Sequence, residues 1–246
     1  MKKKSLYLIA IVFIALGFFG TRTYAAEKNP CLECHTKFRE PAKSVHAILA
    51  AGCQTCHKPV EGKKHPEQKG SITLAQPLPG LCFECHKKEK FEGKYGHTNV
   101  GMCLFCHNPH VSKYGNLLKE DVPDICYSCH GKAQFTKKDV HPIVVIPNGC
   151  LLCHDPHANN NQNLLLQPTI FDLCTSCHSE QRNGMHISGN ENLGIGENIH
   201  PVKGVPDPSN PSKELTCISC HNPHSSDFIK LFVQKKLCIR CHKELF

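Results

Sequence analysis

The 246-residue chain holds its apolar residues in one continuous block and, beyond it, in short scattered groups. The block runs from Leu6 to Phe19, behind Lys2, Lys3 and Lys4 and ahead of the small residues Ala25 and Ala26. Its length falls short of the roughly 20 residues that cross a bilayer core. The order basic, apolar, small is that of a secretory leader, so a signal peptide over residues 1–25, cleaved after Ala25, is expected. No cysteine follows the block directly, and no lipid anchor is expected. Further along, apolar side chains come as small clusters such as Leu117–Leu118 and Leu164–Leu166, with no series of alternating strands that would build a barrel. The chain has no Trp and 5 Tyr against 17 Gly and 17 Pro, which is too few large side chains for an ordinary core. The expected architecture is mostly irregular, with short α-helices and very little β-structure.

Cysteine changes this picture. There are 18, an even number, which in an exported chain first suggests a disulfide scaffold. Their spacing says otherwise, because all fall in nine copies of Cys-x-x-Cys-His. In chain order these are site 1 (Cys31, Cys34, His35), site 2 (Cys53, Cys56, His57), site 3 (Cys82, Cys85, His86), site 4 (Cys103, Cys106, His107) and site 5 (Cys126, Cys129, His130). Then follow site 6 (Cys150, Cys153, His154), site 7 (Cys174, Cys177, His178), site 8 (Cys217, Cys220, His221) and site 9 (Cys238, Cys241, His242). Two thiols three residues apart on one turn reach the vinyl groups of one porphyrin, and the next imidazole then points at its iron. This is the c-type haem attachment motif. A zinc or thioredoxin-like reading does not explain a histidine after every second cysteine. Nine covalent haems c are expected.

The chain has 18 histidines, so nine remain outside these motifs: His46, His65, His97, His110, His141, His157, His186, His200 and His224. Nine irons need nine second ligands, and beyond the leader only Met102 and Met185 could supply methionine. Bis-histidine iron at low potential is therefore expected throughout. The order lead histidine, motif, second histidine, motif recurs four times, over residues 46–86, 97–130, 141–178 and 200–242. Units 2 to 4 contain CHNPH, CHDPH and CHNPH, which put His110, His157 and His224 three residues past the attachment histidine. In unit 1 that position is Val60, and His65 substitutes. Site 1 and His186 are left over. The proline between His107 and His110 fixes one backbone torsion, so these two imidazoles cannot grip opposite faces of one porphyrin. His110 should serve a neighbouring haem, and His157 and His224 likewise. A self-similar array of this kind stacks unit on unit. With about 25 residues per motif the porphyrins themselves must form the core. The segment 179–216, rich in Gly, Asn and Pro, reads as a solvated surface loop.

With nine CXXCH motifs and the His-x-Pro-His element, the mature chain, 26–246, resembles the multihaem cytochromes of the doubled CXXCH family. The resemblance implies a periplasmic or extracellular electron carrier, some relatives being conduits through the outer membrane and others polymerising wires. It implies redox partner proteins: other cytochromes, an inner-membrane quinol oxidase or an outer-membrane porin, with membrane contact only through them and self-assembly as a further role. The rival is an enzyme of the nitrite or hydroxylamine type, which needs an open iron; here a histidine stands ready to close every site, and no catalytic residue is assigned. The formal charge of +8 includes Lys2, Lys3, Lys4 and Arg22 of the leader. Haem propionates would turn the remainder net acidic, so nucleic acid is not an expected partner.

Overall fold

The computed structural model describes residues 29–187 and 199–243. The expected leader lies outside these residues. Among the described residues secondary structure is short and sparse, as expected: the longest α-helix there, Ile170–Thr175, has six residues, and the remainder are single α or 3-10 turns. Many of these turns are the motifs themselves. In eight of the nine, the attachment histidine amide donates to the carbonyl of the first cysteine four residues back, at 2.9–3.0 Å. One such i→i−4 turn is the local reason both thiols and the imidazole leave the same side of the backbone.

Among the described residues the strands pair in twos, forming six antiparallel ladders. Three of them join consecutive units by one rule. The two residues before a lead histidine pair with the two after the next unit's second histidine: Ser44–Val45 with Val111–Ser112, Tyr95–Gly96 with Ala158–Asn159, and Asp139–Val140 with Ser225–Ser226. The lead histidine continues each ladder, its amide donating to the carbonyl of the second histidine (His46 to His110, His97 to His157, His141 to His224) at 2.7–2.9 Å. Backbones come very close at these joints. A Cβ on Gly93 would lie 2.5 Å from the Asn159 carbonyl oxygen.

Unit 4 makes the same kind of joint with a different strand. His200 sits opposite His186 in the ladder of Ile199–Pro201 with Met185–Ile187. The described parts of the segment 179–216, residues 179–187 and 199–216, are thus more ordered than their composition suggests, because polar residues there hydrogen-bond through the backbone. It also holds a second hairpin, Pro206–Asp207 with Asn210–Glu214.

Among the described residues the buried apolar side chains are few and far apart, among them Leu32, Val122, Phe171 and Leu215. Phe105 is 56% exposed and Ile229 is 74% exposed. No helix of the described residues is long and apolar enough to cross a membrane.

Candidate haem-attachment sites

The second histidine of units 2 to 4 is aimed by its own sequence. In each, the side-chain oxygen of the residue after the attachment histidine accepts the amide two residues on: Asn108 from His110 at 3.0 Å, Asp155 from His157 at 2.8 Å, and Asn222 from His224 at 3.0 Å. This Asx turn, stiffened by the intervening proline, swings the second imidazole away from the first.

The attachment histidines of these units are held by a second device. The backbone passes twice through the left-handed region at Asn116–Leu117, Asn163–Leu164 and Lys230–Leu231, with φ of 53–58°. Such a conformation costs a non-glycine residue roughly 1–2 kcal/mol. It turns three carbonyls inward. His107 Nδ1 donates to Asn116 O at 2.9 Å, His154 Nδ1 to Asn163 O at 2.9 Å, and His221 Nδ1 to Lys230 O at 2.7 Å. With Nδ1 carrying the proton, Nε2 is the free donor atom. Unit 1 lacks this turn; His57–Pro59 pairs there with Ile72–Leu74 around a longer loop.

Each of the nine attachment histidines faces one of the nine others. The pairs at sites 1 to 5 are His35–His65, His57–His110, His86–His46, His107–His157 and His130–His97. At sites 6 to 9 they are His154–His224, His178–His141, His221–His186 and His242–His200. Ring centroids are 5.9–6.3 Å apart throughout, too far for the rings to touch each other. A lead histidine always faces the second motif of its own unit. The second histidine faces the first motif of the preceding unit, and His65, in unit 1, does this for site 1. The two elements left over by the repeat are not partners: His35 faces His65, while His186 faces His221. Burial pushes the imidazoles of His110, His141, His157, His221 and His224 towards the neutral form.

The thiols are not joined to one another, yet those of consecutive motifs interact along the whole series. Cys31 neighbours Cys53, Cys56 neighbours Cys82, Cys82 neighbours Cys103, and Cys106 neighbours Cys129. Further on, Cys126 neighbours Cys150, Cys153 neighbours Cys177, Cys174 neighbours Cys217, and Cys220 neighbours Cys241. The Cys126–Cys150 hydrogen bond pushes Cys126 up and holds Cys150 at about 7; Cys174 and Cys217 repeat this, with Cys217 at about 7. The nine sites therefore form one file in chain order. Among the described residues no three His, Cys, Asp or Glu side chains converge to hold a metal ion directly.

The doubled CXXCH motif family matches residues 46–91, 97–135, 142–183 and 210–245, well over half of the chain and in step with its four units. The chain belongs to the doubled CXXCH motif family. As a member carrying nine CXXCH motifs, it is a multihaem c-type cytochrome. The multihaem cytochrome MtrA of Shewanella baltica (strain OS185) is 30% identical over 242 residues, which take in 88% of this chain and 53% of that protein. The chain thus spans about half the length of that curated relative.

Proposed function

We propose that the chain binds nine haems c, each held by two thioethers and two imidazoles, and that it is an electron carrier rather than an enzyme. The observation that carries this reading is the separation of the nine histidine pairs. Metal–imidazole bonds of about 2 Å on either side, with about 1 Å more to each ring centre, add up to roughly 6 Å. The pairs lie at 5.9–6.3 Å.

Haem c, when bound, supplies an iron that gains and loses one electron. The protein's residues fix where this happens. The eighteen cysteines would tether the porphyrins; His35, His57, His86, His107, His130, His154, His178, His221 and His242 would each hold one iron. His65, His110, His46, His157, His97, His224, His141, His186 and His200 would be the second ligands in the same order. With two imidazoles at every site, no iron would be left open to nitrite or hydroxylamine, and the file of sites would serve transfer from neighbour to neighbour. The leader at 1–25 sends the chain to the periplasm, where its partners are other redox proteins, at the inner membrane or at an outer-membrane pore.

A pyridine haemochrome count with visible spectra tests the reading. Nine haems per chain, all low-spin and inert to carbon monoxide, are expected. His110→Ala should keep nine haems and open one iron, at site 2. Fewer than nine haems, or a wild-type protein that binds carbon monoxide, overturns the proposal.

A further inference from the structure

The nine pairs are alike in separation and unlike in orientation. At sites 1, 2, 3, 4, 6 and 8 the two imidazole planes lie within 11–24° of parallel. At sites 5, 7 and 9 they cross, at 60°, 75° and 90°. From site 4 onward the two kinds alternate strictly.

A second difference follows the same alternation from site 4 to site 8; at site 9 only the ring orientation does, since His200 Nδ1 there donates to the Pro201 carbonyl at 2.9 Å. Sites 4, 6 and 8 are those whose attachment histidine donates Nδ1–H to the carbonyl of a left-handed turn. Among the described residues neither His130 nor His178 has a carbonyl partner at Nδ1; that of His178 lies 3.9 Å from Glu180 Oε1. Opposite His178, the Nδ1 of His141 is buried with no hydrogen-bond partner.

We infer that the file alternates between two electronic classes from site 4 to site 9, with the crossed sites 5, 7 and 9 at higher potential than the parallel, carbonyl-anchored sites 4, 6 and 8. This rests on the bis-histidine reading above. Parallel imidazoles donate π density into the same iron d orbital, which splits that orbital from its partner and stabilises the oxidised ion. Crossed imidazoles donate into two orbitals and leave them nearly equal, so the stabilisation is smaller. A carbonyl at Nδ1 gives the ring partial imidazolate character, which again favours oxidised iron. Both effects lower the potential of sites 4, 6 and 8. Electrons entering the file would rest on sites 5, 7 and 9 and cross the sites between them in uphill steps.

Asn116, Asn163 and Lys230 act here as positioning residues, through their carbonyls. Glycine accepts the left-handed conformation freely, whereas a β-branched residue resists it.

The test is electron paramagnetic resonance of the oxidised holoprotein, poised at successive potentials. Three centres should give the single broad low-field feature of nearly degenerate orbitals, and six should give rhombic three-line spectra. As potential falls, the three should disappear before three of the six. Asn163→Val should raise the potential of one rhombic centre with haem count and spin state unchanged, while Asn163→Gly should leave it in place. Nine low-spin haems with only rhombic spectra, or broad-feature centres reduced last, overturn this inference alone. A wild-type protein with fewer than nine haems, or with high-spin iron, overturns it together with the ligation it rests on.

Discussion

The joint between units 3 and 4 and the hairpin at His200 solve one structural problem with different pieces of chain. At the joint, Asp139–Val140 pairs with Ser225–Ser226, a strand of the following unit, and His224 at its start faces site 6. At the hairpin, the strand containing His200 pairs instead with Met185–Ile187, from the segment just upstream, and His186 faces site 8. A histidine stands beside the lead strand in both cases. What the repeat conserves is therefore the joint, a lead strand beside a strand that carries an imidazole. Which part of the chain provides that strand is free to vary.

The largest effect that would break this comparison is loss of the haems. With so few buried apolar side chains, neither joint nor hairpin has a protein core beneath it, and short two-stranded ladders are marginal alone. Chain made without haem attachment should be unfolded by far-ultraviolet circular dichroism and degraded within the time the holoprotein survives. A protease-resistant apo form would show that the ladders hold by themselves.

Next come the two histidines. His224→Ala and His186→Ala should each keep nine haems and produce one high-spin iron that binds carbon monoxide, at site 6 and at site 8 respectively. If only one of them does so, the joint and the hairpin are not equivalent.

The motifs, the histidine count and the four units were legible in the sequence because thiol chemistry demands a fixed spacing. The sparse secondary structure followed from the shortage of large apolar residues. That His110, His157 and His224 should serve a neighbour was legible, but which neighbour was not, because partners such as His57 and His110 come from different units and meet through a backbone ladder that leaves no side-chain signature. His65 could be read as the second histidine of unit 1, but not as the partner of His35. The left-handed turns were hidden for another reason: Asn-Leu and Lys-Leu stand where glycine would have announced them. The hairpins within 179–216 were hidden by composition, since Asn210–Glu214 is mostly polar and exposed along its length yet paired.

A smaller effect is expected at the Tyr95–Gly96 joint. Gly93→Ala would drive a Cβ into the Asn159 backbone, and the shift should cost about 1–3 kcal/mol, read as a lower denaturation midpoint with nine haems retained. The smallest concerns the hairpin side. The Asp207 carboxyl is buried and accepts from Ser209 N at 2.8 Å and from Ser209 Oγ at 2.6 Å. These bonds, the hydroxyl first, hold it below the usual carboxylate range. Its contribution is thus complete above the ordinary carboxylate pKa and fades as pH falls through the lower folded value. Asp207→Asn should flatten the acid limb of the stability profile and cost about 1 kcal/mol near neutral pH. An acid limb identical to wild type would remove Asp207 from the account.

The joints also impose a direction in time. His57, His107 and His154 each face a histidine that emerges later in synthesis, in the following unit. Under the proposed ligation, a chain threading out amino-terminus first keeps its newest first-motif iron half-finished until that unit arrives. Site 8 does not wait, because His186 has already emerged. Maturation would then proceed like a zip fastener, with one reactive iron at the moving front.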